Sequence, residues 1–120
     1  QDCGRVINPL LASGQVHGGV VQGLGQALYE HAVYDDDGQL VSGSFMDYAM
    51  PRADQVADVA VDFNEVLDPN NELGVKGIGE GGACAAPSAV VNAVLDAMAC
   101  RGVETIDMPM TPLRVWQALQ

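Results

Sequence analysis

Ser13-Gly14-Gln15-Val16-His17-Gly18-Gly19-Val20-Val21-Gln22-Gly23-Leu24-Gly25-Gln26-Ala27-Leu28-Tyr29-Glu30-His31 carries two patterns at once. Val16, Val20, Leu24, Ala27 and Leu28 recur at helical spacing with Val21 beside them, and Ser13 is a suitable N-cap for a helix running to about His31. Gly18, Gly19, Gly23 and Gly25 run against that pattern, because each costs about 1 kcal/mol relative to Ala in a helix interior. A helix that keeps four glycines needs either a second backbone packed close on that face or a ligand lying against it, and both readings stand. Gln22 and Gln26 lie one turn apart and share a face. Their amides both donate and accept, which suits a polar heterocycle as well as it suits solvent.

Outward from this helix, residues 2–12, with Gly4, Asn8 and Pro9, read as a turn leaving a strand. Downstream, Val33-Tyr34 and Leu40-Val41 flank Asp36-Asp37-Gly38, whose Asp-Gly pair suits a tight hairpin turn. Ser44 to Tyr48 reads as a strand ending at Pro51. Val56 to Phe63 reads as another, its acids on a solvated face. Residues 67–75 are loop-like. Pro87 suits the first position of a helix continued by Ser88 to Cys100, with Val90, Val91, Val94, Leu95 and Met98 as its apolar stripe and Gly102 as its stop. Thr111-Pro112 caps a last helix, Leu113 to Leu119. This order predicts an α+β fold, helices packed on a small, mainly antiparallel or mixed sheet, with residues 1–120 forming a single domain.

Composition bounds the function. The 120 residues are 48% hydrophobic, enough for one moderate core. Five basic residues against 16 acidic ones give a net charge of -11, which argues against a nucleic-acid backbone or an anionic membrane surface as partner. Cys3, Cys84 and Cys100 form no CxxC pair, which argues against a disulfide framework or structural zinc and fits a reducing cytoplasm. His17 and His31 are too far apart in sequence to imply a shared metal site. No signal peptide opens the chain and no uninterrupted apolar run approaches membrane-spanning length. The opening Gln1-Asp2-Cys3-Gly4-Arg5 reads as the middle of something longer, so an excised fragment is expected.

Gly77-Ile78-Gly79-Glu80-Gly81-Gly82 sets one carboxylate among glycines where a loop enters a helix. Glycines let a ligand approach the main chain, and such a place ordinarily favours anions. Glu80 is therefore either an incidental acid in an exposed loop or a group kept for chemistry. Lys76 precedes the loop without a phosphate-loop pattern.

Four segments together resemble a known family. They are Asp2 to Pro9, Gln15 to Glu30, Gly43-Ser44-Phe45-Met46-Asp47-Tyr48-Ala49-Met50-Pro51, and Val75-Lys76-Gly77-Ile78-Gly79-Glu80-Gly81-Gly82. In this order they resemble the molybdenum hydroxylases: the xanthine dehydrogenase, aldehyde oxidase and carbon monoxide dehydrogenase-type large subunits, with the last as the nearest likeness. The resemblance runs essentially end to end and covers the C-terminal part of the molybdopterin-binding portion. It implies a molybdenum–pterin cofactor, in the cytosine dinucleotide form usual for bacterial members. It implies Glu80 as the general base toward a metal-bound water or hydroxide, in the hydroxylation of an aldehyde or N-heterocycle. Gln22, with Gly23, matches the pterin-contacting segment, and the loop of Gly77, Gly79 and Gly81 is implied to lie beside the cofactor, with Lys76 nearby. FAD and iron–sulfur clusters are implied on partner modules only. The remainder of the large subunit, those modules and a small-molecule substrate are the implied partners. Residues 1–120 alone are expected to be inactive and prone to self-association. A non-catalytic homologous domain, or a small subunit of a split enzyme, is the alternative.

Overall fold

Asn8 caps the first helix, five residues before the predicted Ser13 cap. In the computed structural model, which describes residues 1–120, α1 spans Pro9–Leu28. Asn8 Oδ1 accepts from the Leu11 N–H at 3.1 Å, and Pro9 occupies a first-turn position where its missing N–H removes nothing. The helix closes where the Tyr29 and Glu30 N–H groups both donate to the Gly25 carbonyl, at 2.9 and 2.8 Å.

The second helix also starts early. α2 spans Gly81–Met98 with Glu80 as its N-cap, so Pro87 lies inside it rather than at its start. An interior proline forfeits one backbone bond, yet the chain is helical on both sides of it. The segment upstream of Pro87 packs on α1: a Cβ on Gly19 would stand 2.9 Å from Gly82 Cα, and one on Gly23 would stand 2.5 Å from Ala86 Cβ. A 3₁₀ turn, Ala99–Arg101, follows and stops at Gly102, whose φ of 75° is left-handed. With that turn the helix has a mean hydropathy of 1.5 over its most apolar window, and by length and composition it could cross a membrane. Its apolar residues do not form an uninterrupted run, because Pro87, Ser88, Asn92 and Asp96 fall among them. α3, Pro112–Ala118, begins at Thr111, whose Oγ1 accepts from the Arg114 N–H at 3.4 Å.

The predicted α+β sheet is absent. Extended segments meet in two isolated antiparallel bridges, Gly4 with Val75 and Tyr34 with Leu40, and in the bonds of residue 1 to residues 62 and 64. The second bridge is the expected hairpin, closed by the Asp35 N–H on Gln39 O and the Val41 N–H on Val33 O, but it goes no further. Ser44 to Tyr48 is a turn and not a strand. Ser44 O accepts from both the Asp47 and Tyr48 N–H groups, and Ser44 Oγ donates to Asp47 Oδ2 at 2.7 Å, so local bonds displace a ladder. Residues 56–63 are extended but have no strand partner of ordinary length. Alternation of apolar and acidic residues sets the faces of a strand; it does not supply the neighbour that makes a sheet.

Only 15 of 120 residues are buried, and no large side chain is fully enclosed. The radius of gyration is 17.8 Å, against about 14 Å for a globule of this length. The core is the contact of α1 with α2, and Phe45 and Met46 stand 84% and 93% exposed.

Candidate functional site: the glycine loop at the start of α2

The site is built on the α1–α2 crossing. Gly19 faces Gly82 and Ala83, and four residues on, Gly23 faces Ala86 and Pro87. Matching steps of four in the same direction mean that the helices run parallel there. A Cβ on Gly19 would stand 2.8 Å from Ala83 N, and one on Gly82 would run into the Val16 carbonyl. Gly19 and Gly82 thus let the two backbones touch, and Gly23 makes room for Ala86 Cβ and the Pro87 ring. This settles, for them, the choice between backbone packing and a ligand. Gly18 has open space instead, and Gly25 lies against Glu30 and Pro51.

Above the crossing, the loop is open. Gly77 and Gly79 are exposed and have no neighbour within reach of a Cβ, while Gly81 lies against the Gln1 side chain. The loop turns into α2 through the Gly81 N–H on Ile78 O at 3.1 Å. Glu80 holds the N-cap backbone position, but its side chain makes no cap bond and is exposed. The carboxylate is therefore available beside the amides of the first helical turn.

Lys76 is committed elsewhere. Its Nζ donates to Asp2 Oδ2 at 2.6 Å, with both side chains about one-third exposed. Asp2 Oδ1 accepts from the Gly4 N–H at 2.8 Å and the Val66 N–H at 3.2 Å. The Lys76 bond first, and the Gly4 N–H second, hold the Asp2 carboxyl down at about 2. Arg5 Nε donates to Leu73 O at 2.9 Å and the Lys76 N–H to Cys3 O at 2.8 Å, so residues 2–5 clamp the segment that feeds the loop. Sequence reasoning missed Asp2, because its partner lies 74 residues away.

Gln22 is exposed on α1. Since Gly82 is level with Gly19, Glu80 is level with about residue 17, and Gln22 lies roughly 7 Å farther along the axis. The structure thus brings Gly23 and Gly81 to one crossing, sets Glu80 at its mouth and Gln22 a turn beyond, and ties Lys76 into a separate clamp. His17, at the level of Glu80, donates from Nε2 to the Val59 carbonyl at 2.8 Å, which pins residues 56–63 to α1.

Residues 1–57 match the family model described as molybdopterin cofactor-binding domain. The gamma subunit of the 6-hydroxypseudooxynicotine dehydrogenase complex of Paenarthrobacter nicotinovorans is 44% identical over 120 residues, which cover 99% of this chain and 15% of that protein. The carbon monoxide dehydrogenase large chain of Hydrogenophaga pseudoflava is 35% identical over 119 residues, 99% of this chain and 15% of that one. The crystal structure of quinoline 2-oxidoreductase from Pseudomonas putida 86 matches with a TM-score of 0.95 at 43% identity, over 99% of this chain and 15% of that one. The chain spans about 15% of the length of these relatives. Residues 1–120 belong to the molybdenum hydroxylase family and correspond to part of its molybdopterin-binding large subunit.

Proposed function

We propose that this chain forms the Glu80 side of a molybdenum hydroxylase active site, in a larger subunit that hydroxylates an aldehyde or N-heterocycle with oxygen from water. Relatives named for quinoline and for a nicotine derivative favour the heterocycle. The observation that carries the reading is the uncommitted, exposed Glu80 carboxylate in an open glycine loop, within a chain matched over nearly its whole length.

The residues present fit a pterin dinucleotide. Gly77 and Gly79 leave the loop backbone uncovered, the first turn of α2 offers amides suited to anionic groups, and Gln22 offers an amide that both donates and accepts. Gln22, Gly79 and Gly81 would hold the cofactor, in the cytosine dinucleotide form, with Gly77 alongside. Gly23 keeps α1 against α2 so that Gln22 is presented, and Lys76 acts through its clamp on the loop. When bound, the molybdenum–pterin supplies the two-electron acceptor for substrate oxidation.

Glu80 removes a proton from the water-derived oxygen as that oxygen is added to the substrate carbon. A carboxylate free of internal hydrogen bonds has both oxygens available for this transfer. The FAD and iron–sulfur clusters that drain the electrons belong to partner modules, and the assembly works in the cytoplasm. Residues 1–120 alone are inactive, and their exposed apolar side chains favour self-association.

The test is Glu80→Gln in the complete enzyme. Turnover should fall by at least about a hundredfold, the lower range for a general base, with molybdenum content unchanged. Wild-type turnover would refute the role. Gln22→Ala should instead lower the molybdenum retained per subunit, and unaltered retention would remove Gln22 from the cofactor's contacts.

A further inference from the structure

Residues 56–63 carry the start of a strand pairing whose register is already set. The Gln1 ammonium donates to the Asp62 carbonyl at 3.1 Å, and the Asn64 N–H donates to the Gln1 carbonyl at 2.9 Å. Those two bonds are one rung of a parallel ladder, with residue 1 beside residue 63. In an extended segment each residue directs its N–H and C=O to one edge, and successive residues alternate edges. The rung therefore uses the edge of Asp62 and Asn64, and Ala60 and Asp58 carry the same edge upstream. The Asp62 N–H, both backbone groups of Ala60 and the Asp58 carbonyl make no hydrogen bond. Val59 carries the other edge, and its carbonyl is taken by His17.

The side chains agree with a strand. Val59, Val61 and Phe63 are half-buried, while Asp58, Ala60 and Asp62 are exposed. Beside this segment runs an open groove of about 540 Å³, walled by Val16, Val20 and Leu24 of α1 and Ala86 and Val90 of α2. A row of free backbone groups next to an apolar groove takes an extended polypeptide: the main chain supplies bonds and alternate side chains fill the groove.

We propose that the Ala60 edge pairs with a parallel strand of the same large subunit, the stretch leading into Gln1, with apolar side chains at alternate positions entering the groove. The rung fixes both direction and origin. A chain running parallel to 56–64 and reaching residue 1 beside residue 63 has its preceding residues beside 61 and 59. The matched relatives carry far more chain than this segment, which covers 15% of them. The pairing makes residues 56–63 part of a sheet that holds α1 and α2 against the rest of the subunit. It is independent of the role given to Glu80.

The test is hydrogen–deuterium exchange of the complete subunit, resolved to single residues. The Ala60 and Asp62 amides should exchange at least about a hundredfold slower than an unstructured peptide, at every protein concentration. Ala60→Pro removes one donor from this edge and should release the Asp62 amide to fast exchange. Should that variant fail to fold, the wild-type pattern decides. Fast exchange at both amides would overturn the proposal, and so would protection that rises with protein concentration, which would mean a second copy on this edge. Turnover does not enter the readout, so failure here leaves the general-base reading standing.

Discussion

Gly18 and Gly19 are neighbours in α1 and should respond to alanine in opposite directions. A Cβ at Gly18 meets open space, so Gly18→Ala gains helix propensity and should stabilise by up to about 1 kcal/mol. A Cβ at Gly19 meets backbone atoms of Gly82 and Ala83, which cannot swing aside as a flexible side chain would. Gly19→Ala should destabilise by about 1–3 kcal/mol through overpacking. Thermal unfolding of the complete subunit with each variant checks the signs. Nothing in the helical pattern separates the two residues, since both interrupt it equally. The difference comes from α2, more than 60 positions away. Glu80 is the opposite case: its setting among glycines at a helix start was legible, and the structure leaves its side chain exposed as a glycine-lined loop allows.

At the scale of elements, helix starts follow local chemistry more closely than apolar periodicity does. Asn8→Ala should cost about 1 kcal/mol through loss of the bond to the Leu11 N–H, while Ser13→Ala, inside α1, should leave stability nearly unchanged. Denaturant midpoints of the two variants would test the reassigned cap, and equal midpoints would contradict it. The Asn-Pro signal is present in the sequence, and it outweighs the first apolar-periodic residue in setting the boundary. The start of α2 was hidden for a different reason. Pro87 is a good first-turn residue in isolation, and the turn-and-a-half before it is helical in contact with the glycines of α1. The predicted sheet failed where strand-like segments lacked partners: 44–48 folded into its own turn, and 56–63 stayed extended with a free edge.

Across the whole molecule, two charge-linked ties connect distant parts of the chain, and they fail at opposite ends of the pH scale. Asp2 has its carboxyl lowered from 3.8 to about 2, chiefly by the Lys76 hydrogen bond. Its contribution is fully present above the unfolded value and is lost as pH falls through about 2, because the unfolded chain takes the proton first. Tyr48 donates to Glu30 Oε2 at 2.6 Å, which raises its pKa above 10.0. Its contribution is present below 10 and is lost as pH rises through the folded value. In pH-dependent unfolding of the complete subunit, Asp2→Asn should flatten the acid limb between about pH 4 and pH 2, and Tyr48→Phe the alkaline limb. An unchanged acid limb in Asp2→Asn would show that the clamp on residues 73–76 does not depend on that charge.

Whatever depends on neighbours along the chain is legible in the sequence: three helices, the Asp-Gly hairpin, the Thr111 cap, the Gly102 stop, the strong acidity, and the motifs that mark the family. Periodicity, capping and turn chemistry act over a few residues, so they can be read in order. Tertiary structure alone decided which glycines serve backbone contact, that Lys76 belongs to Asp2, and that no sheet closes within these residues. Each of those facts depends on two segments meeting across dozens of positions. A strand in particular is completed by a partner rather than by its own side chains. The free edge of residues 56–63 is where that dependence is plainest: alternation suits the segment to an extended form, and only a neighbouring strand can make it part of a sheet.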